Sequence, residues 1–110
     1  MKKYFWGGRP DIIITKTREA GNLHIALEGR LDTTTAPQLE AEVSGASLDG
    51  VTDLELDFEK LEYVSSAGLR VLLGAQKAMK ERGQMVLRHV SGDIMEVFEI
   101  TGFSDILTIR

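Results

Sequence analysis

Hydrophobic and polar positions alternate with a two-residue period in several short parts of the chain, a pattern that is typical of half-buried strands. Five segments have this alternation or a short β-branched run: residues 12–15, 23–31, 53–59, 85–87 and 106–109. The first two are separated by the turn-forming residues Ala20, Gly21 and Asn22. They are therefore predicted to form a β-hairpin.

A period of three to four residues predicts three helices between the later strands. The first begins after the hydroxyl side chains of Thr33–Thr35, has Pro37 in its first turn and ends near Gly45. The third begins at Ser91 and ends at Gly102.

The longest helical pattern follows residues 64–68 and ends at Gly83, a residue type that often terminates helices. Its apolar side consists of Leu69, Leu72, Ala75 and Met79. The opposite polar stripe consists of Arg70, Gly74, Lys77 and Glu81. A helix with these two sides packs one against a core and exposes the other.

The predicted order of elements is β-β-α-β-α-β-α-β, which indicates one α/β domain over residues 11–110. Residues 1–10 lie outside this periodic pattern and contain Tyr4, Phe5 and Trp6 before two glycines and a proline. The decapeptide is interpreted as a surface tail or as a small apolar patch that docks on its own domain or on a partner. Its apolar stretch is too short for a signal peptide.

Composition narrows the classes of function. The 110 residues include 17 acidic and 13 basic side chains, and the formal net charge is −4. This acidic excess argues against a general nucleic-acid binder. The absence of cysteine excludes disulfides and favours a cytoplasmic location, and no segment has the apolar length needed for membrane insertion. Two histidines make a histidine-rich metal site improbable, and no metal or cofactor is expected.

Two adjacent serines, Ser65 and Ser66, fall between a predicted strand and the longest helix. The first amide groups of a helix are unpaired and the helix dipole is positive there, so this position stabilises anions, including a phosphate attached to a side chain. The alternative is that one serine only caps the helix. Asp32 and Asp57 are expected near Ser66, because each falls near the end of a predicted strand.

Two other chemistries, serine hydrolysis and cation binding, fit the sequence less well. A serine hydrolase would need a base, for which only His24 and His89 are present, and the chain lacks the G-x-S-x-G motif. The alternating acidic residues Asp53, Glu55, Asp57 and Glu59 could suggest a cation site, but they are spread along a whole strand and fit a solvated face better. A phosphate-binding loop motif is absent.

Three motifs resemble the STAS domain of bacterial anti-sigma-factor antagonists. They are Gly29-Arg30-Leu31-Asp32 followed by Ala36, then Leu54-x-Leu56-Asp57-Phe58, then Val64-Ser65-Ser66-Ala67-Gly68-Leu69. The resemblance covers roughly residues 11–110. It implies a four- to five-stranded mixed sheet with helices packed mainly on one face.

The resemblance also implies a phosphorylation switch and no enzymatic activity. Unphosphorylated members bind an anti-sigma factor that is also a serine protein kinase, phosphorylated members release it, and a serine phosphatase resets them. The phosphoacceptor falls on Ser66, with Ser65 as second choice. The residues expected near it are Asp32, Asp57, Ser65, Ala67 and Gly68. Many members have Asp in place of Ser65 and Ser in place of Ala67.

The expected partner surface combines the loop before the first helix with the stripe that follows the phosphoacceptor. It comprises Thr33, Thr34, Ser66, Arg70, Gly74 and Lys77. An alternative from another class is a STAS subunit that docks on the ATPase of a membrane lipid transporter. The free-standing length, the acidic charge and the intact serine pair favour the sigma-regulatory function.

Overall fold

A four-stranded mixed sheet forms the centre of the fold in the computed structural model, which describes residues 11–110. The strands are β1 (Ile12–Glu19), β2 (Asn22–Leu31), β3 (Asp53–Val64) and β4 (Gln84–Arg88), and they lie side by side in this order. β1 and β2 are antiparallel, whereas β3 runs parallel to both of its neighbours. The predicted hairpin and mixed sheet are confirmed. The tail predicted for residues 1–10 lies outside the described residues.

Three helices follow the predicted pattern. They are α1 (Ala36–Glu42), α2 (Ser66–Lys80) and α3 (Gly92–Thr101), and short 3-10 turns cover Gly45–Leu48 and Phe103–Asp105. Pro37 lies in the first turn of α1, where its missing N–H costs no hydrogen bond. Ser91 caps α3, since its hydroxyl accepts a hydrogen bond from the Ile94 amide. Gly102 ends α3 in the left-handed conformation, with φ of 82°.

The core lies between the helices and one face of the sheet. The alternating residues Leu54, Leu56 and Phe58 of β3 are fully buried there, and Phe98 of α3 packs on Phe58 with ring centroids 6.3 Å apart. The apolar side of α2 is buried as predicted through Leu69, Leu72, Ala75 and Met79. The other face of β3 carries Asp53, Glu55 and Asp57, which are only partly buried. The helices therefore cover one face of the sheet.

The predicted terminal strand at residues 106–109 is wrong. Only one parallel bridge joins Ile109 to Leu87, and the Leu87 amide donates to the Thr108 carbonyl at 2.9 Å. The chain reaches β4 through a 3-10 turn that leaves Ile106 in a helical conformation and 46% exposed. A residue in that conformation cannot join a ladder, so pairing is confined to the last few residues.

β3 continues to Val64, five residues beyond the predicted end at Glu59. The pairing with β2 shifts register twice, between Ala26 and Glu28 and again between Gly29 and Arg30. Such bulges break the two-residue period, so the buried positions after Phe58 are spaced three apart. The longer strand carries the chain to the start of α2.

Candidate functional site

The site begins where β2 and β3 end side by side. The Ser65 amide donates a hydrogen bond to the Leu31 carbonyl at 2.9 Å, which ties the start of α2 to the end of β2. Gly68 packs directly on Leu31, because a Cβ at this position would lie 2.8 Å from the Leu31 Cγ. The absence of a side chain at Gly68 therefore allows the first turn of α2 to rest against β2. The position of the serine pair is fixed by the fold.

The two serines have different roles at this helix start. Ser65 is the N-cap residue, and its hydroxyl oxygen accepts a hydrogen bond from the Gly68 amide at 3.3 Å. Ser66 is the first residue of the 15-residue helix, and its side chain is exposed. Its hydroxyl has no hydrogen-bond partner within residues 11–110. The capping function predicted for one serine belongs to Ser65, whereas the Ser66 hydroxyl remains accessible.

Asp32 organises the loop that enters α1 beside this helix start. One carboxylate oxygen accepts hydrogen bonds from the Thr34 hydroxyl at 2.7 Å, from the Thr34 amide at 3.0 Å and from the Thr35 amide at 3.2 Å. The Thr34 hydroxyl contributes most to holding the pKa of the Asp32 carboxyl below its usual value. Thr35 is buried and donates to the Arg30 carbonyl instead of capping α1. Thr33 is exposed, as is Thr34.

Arg30 and Tyr63 flank the site, and neither is among the site residues that the sequence predicts. The guanidinium carbon of Arg30 lies 4.2 Å from the centroid of the Tyr63 ring, and its Nε lies 3.8 Å from an Asp32 carboxylate oxygen. Both side chains are partly or largely exposed at the ends of paired strands. The sequence contains one signal for Tyr63, which is an aromatic residue two positions before the serine pair at the strand-to-helix junction.

A groove runs between α1 and α2 next to Ser66. Its lining residues nearest the serine pair are Thr33, Ala36, Pro37, Glu40, Ala67, Arg70 and Val71, and it continues along α2 past Gly74 to Ala78. Arg70, Gly74 and Lys77 are all exposed, as predicted for the polar stripe. A Cβ on Gly74 would meet nothing within 4 Å in the described part of the chain, so no atom of residues 11–110 requires glycine there.

Asp57 does not reach this site. It lies in the middle of β3, seven residues before Val64, which is about 23 Å along an extended strand. The expectation that placed it near Ser66 assumed a strand that ends at Glu59, whereas the bulged strand is longer. The structure therefore brings Asp32, Ser65, Ala67 and Gly68 together around the start of α2 and leaves Asp57 outside.

Asp57 belongs to a polar network on the open face of the sheet. The Nδ1 of His89 lies 2.9 Å from one of its oxygens, and the Nε2 of His24 lies 3.9 Å from the other and 3.3 Å from Glu55. Burial opposes ionisation of Asp57, but hydrogen bonds from the Glu59 amide and His89 outweigh it, so the Asp57 pKa is lowered. The bond to Asp57 raises the pKa of His89. Both histidines are thus engaged away from Ser66, and a serine–histidine catalytic pair is not formed.

Two further acidic residues on this face of β3 pair with residues of the neighbouring strand β4. Asp53 accepts a hydrogen bond from Gln84 at 2.9 Å, and Glu55 accepts one from Arg88 at 3.3 Å. Within residues 11–110, one group has three potential ligand atoms within 4.8 Å of one another, and its members are Asp57, Glu59 and His89. Asp57 accepts hydrogen bonds from the Glu59 amide and from His89, and the other two members of the group are exposed, as acidic groups without a metal commonly are.

A known domain family and several known proteins match this chain over most of its length. The family model described as "Mlab, STAS domain" matches residues 14–108. BtrV of Bordetella bronchiseptica is 37% identical over 97 residues, which cover 87% of this chain and 84% of that protein. The anti-sigma-B factor antagonist of Listeria monocytogenes is 32% identical over 96 residues, which cover 86% of this chain and 84% of the relative.

Solved structures share the fold. An anti-sigma factor antagonist from Mycobacterium paratuberculosis has a TM-score of 0.81 at 20% identity, with 93% of this chain and 88% of that chain covered. The Bacillus protein SpoIIAA in its phosphorylated form has a TM-score of 0.71 at 24% identity, with 89% and 91% covered.

A mixed sheet with helices on one face is therefore common to this chain and to these solved structures. The chain belongs to the STAS domain family, among relatives that are anti-sigma factor antagonists. The resemblance read from the sequence motifs is therefore confirmed. Among residues 11–110, no helix has the length and apolar character that crossing a membrane requires.

Proposed function

We propose that this protein is a cytoplasmic anti-sigma factor antagonist controlled by phosphorylation of Ser66. Unphosphorylated, it binds an anti-sigma factor that is also a serine kinase, and phosphorylated it releases that partner. One observation carries the proposal: the Ser66 hydroxyl is exposed at the first position of α2, in a turn that Ser65 and Gly68 hold in place. The names of the curated relatives and the phosphorylated form of a structural neighbour support it.

The exposure of the two hydroxyls favours Ser66 over Ser65 as phosphoacceptor. Phosphorylation of Ser65 would consume the oxygen that caps α2, and loss of a serine cap costs about 1 kcal/mol of stability. Phosphorylation of Ser66 breaks no hydrogen bond within the described residues. A kinase would transfer the γ-phosphoryl group of ATP to the Ser66 oxygen as the hydroxyl proton leaves. A phosphatase would later hydrolyse the ester with water.

The charge of the phosphate explains release. It adds about −1.5 to −2 charges at neutral pH, and the positive end of the α2 dipole tolerates that charge within this domain. The fold therefore need not change. A partner surface that fits the neutral hydroxyl closely would meet steric overlap and an uncompensated buried charge. In this mechanism the antagonist is a ligand and a substrate, and it has no catalytic role of its own.

The proposed partner surface surrounds Ser66 and extends along the groove between α1 and α2. It includes the exposed loop residues Thr33 and Thr34, the groove residues Arg70 and Gly74, and the exposed Lys77 outside the groove on α2. Glycine in an exposed helix interior costs about 1 kcal/mol relative to alanine. Because nothing among residues 11–110 requires Gly74, this position is open to the close approach of a partner backbone.

Kinase assays on matched serine variants test the proposal. Tagged protein is used as bait in its native host, and a captured protein with a serine-kinase sequence is incubated with labelled ATP and each variant. We expect wild type and Ser65→Ala to be labelled, Ser66→Ala to be unlabelled, and the label on wild type to map to Ser66. Labelling of Ser66→Ala at the wild-type rate would contradict the proposed site. Capture of a lipid-transporter ATPase instead of an anti-sigma factor would favour the alternative function.

A further inference from the structure

Arg70, the arginine of α2, is unpaired among the described residues 11–110. Arg18 and Arg82 donate to backbone carbonyls, whereas Arg30 lies near Asp32 and Arg88 pairs with Glu55. Within residues 11–110, the guanidinium of Arg70 has neither an acidic partner within 4.0 Å nor a side-chain hydrogen bond. This holds even though Glu40 lines the same groove.

Helix geometry directs this unpaired cation toward the phosphoacceptor. Ser66 and Arg70 are both exposed, and four residues along a helix place them about 40° apart on neighbouring turns. Side chains with this spacing have Cβ atoms about 5–6 Å apart. Long helical side chains also lean back toward the N-terminus, so a phosphate on Ser66 is within the reach of an arginine at position 70.

We propose that Arg70 binds the phosphoryl group on Ser66 and is thereby withdrawn from the partner surface. This inference rests on the proposed function and adds a second element to it. The guanidinium offers two parallel N–H donors that match phosphate oxygens, and such charge-assisted bonds are roughly twice as strong as neutral ones. Phosphorylation thus adds negative charge at Ser66 and removes a cation that an acidic group of the partner uses.

Other charged groups near the site are less suited to hold this phosphate. Arg30 is engaged by Asp32 and by the Tyr63 ring. Lys77 lies on the same stripe, but it is eleven residues beyond Ser66, about 16 Å along the helix axis. The carboxylates of Asp32 and Glu40 face the region from the α1 side and would repel the phosphate. Arg70 is therefore the cation placed to offset them.

A phosphorus NMR titration tests this contact without any kinase. The full chain is produced with phosphoserine encoded at position 66, and the second pKa of the phosphate, normally about 6, is measured for wild type and variants. A bound guanidinium favours the dianion, so we expect Arg70→Gln to raise this pKa by about half a unit. Arg70→Lys retains part of the effect, because lysine supplies the charge without the planar fork.

Lys77→Gln is the matched control, because it removes the same charge from the same exposed stripe. It should leave the phosphate pKa within about 0.1 unit, since the separation exceeds the screening length of about 8 Å. Equal pKa values in wild type, Arg70→Gln and Lys77→Gln would overturn the inference. The proposed function would fail in a different experiment, if the kinase left Ser66 unmodified, so the two failures are distinguishable.

Discussion

The start of α2 and the open face of the sheet carry similar polar residues but use them in opposite ways. On the open face, Asp57 is paired with His89, and Glu55 is shared between His24 and Arg88. At the start of α2, the Ser66 hydroxyl and the Arg70 guanidinium have no partner within the described residues. Paired groups stabilise the sheet, whereas groups left without partners remain available for modification and binding. The difference supports the proposed site at the start of α2 over the charged face of the sheet.

The packing of Gly68 gives the largest expected effect on stability. Gly68→Ala would place a Cβ 2.8 Å from the Leu31 Cγ and 3.1 Å from its carbonyl oxygen, so we expect a loss of about 1–2 kcal/mol in urea unfolding. Gly74→Ala is the control in the same helix, where open space predicts a gain of up to about 1 kcal/mol. Equal effects of the two substitutions would mean that α2 does not rest on β2.

The groove beside Ser66 is tested by added charge and bulk. Gly74→Glu should weaken binding to the anti-sigma factor at least tenfold, or about 1.4 kcal/mol, without lowering the melting temperature. Lys77→Glu should weaken binding less, since a residue at the rim of an interface contributes little. Isothermal titration calorimetry measures both. Unchanged affinity in both variants would move the interface to the Asp32 loop.

The stability contributed by the open face should depend on pH, whereas a substitution there should not change partner binding. The raised pKa of His89 means that its bond to Asp57 contributes stability below pH about 6.5, and this contribution is lost as pH rises through the folded pKa. The same bond also stops contributing stability at acidic pH, because Asp57 becomes protonated as the pH falls through its lowered pKa. Urea unfolding should therefore show a larger difference between wild type and His89→Gln at pH 5.5 than at pH 8.5.

His89→Gln should leave the affinity for the anti-sigma factor unchanged at both pH values. A stability difference that does not depend on pH would contradict the His89–Asp57 pairing. A loss of affinity comparable to that of Gly74→Glu would instead place the open face within the interface.

Local patterns in the sequence were sufficient for the hairpin, the three helices and the serine pair at a helix start. Each depends on short-range features, such as the alternation in β3, Pro37 in α1 and Ser91 before α3. The position of Asp57 depends on bulges between β2 and β3, which are set by pairing across the sheet. No local pattern signals how far a bulged strand continues, and the misplacement of Asp57 follows from that.

The division of roles between Ser65 and Ser66 likewise required the structure. From the sequence alone, either serine could cap the helix. The hydrogen bond from the Gly68 amide assigns the cap to Ser65. The contact of Arg30 with Tyr63 joins residues from two strands, so it depends on the same pairing. The Arg30–Tyr63 contact thus follows from tertiary register, whereas the cap by Ser65 follows from the local backbone geometry at the start of α2.

In the proposed mechanism, charge at Ser66 controls partner binding while the fold stays unchanged. The most direct test is calorimetric titration of the anti-sigma factor with wild type, Ser66→Ala and Ser66→Asp, with melting temperatures recorded for each. We expect Ser66→Ala to bind within about threefold of wild type, or about 0.7 kcal/mol, and Ser66→Asp to lose at least a hundredfold, or about 2.7 kcal/mol. Melting temperatures should be similar for all three. Binding of Ser66→Asp as tightly as wild type would contradict the claim.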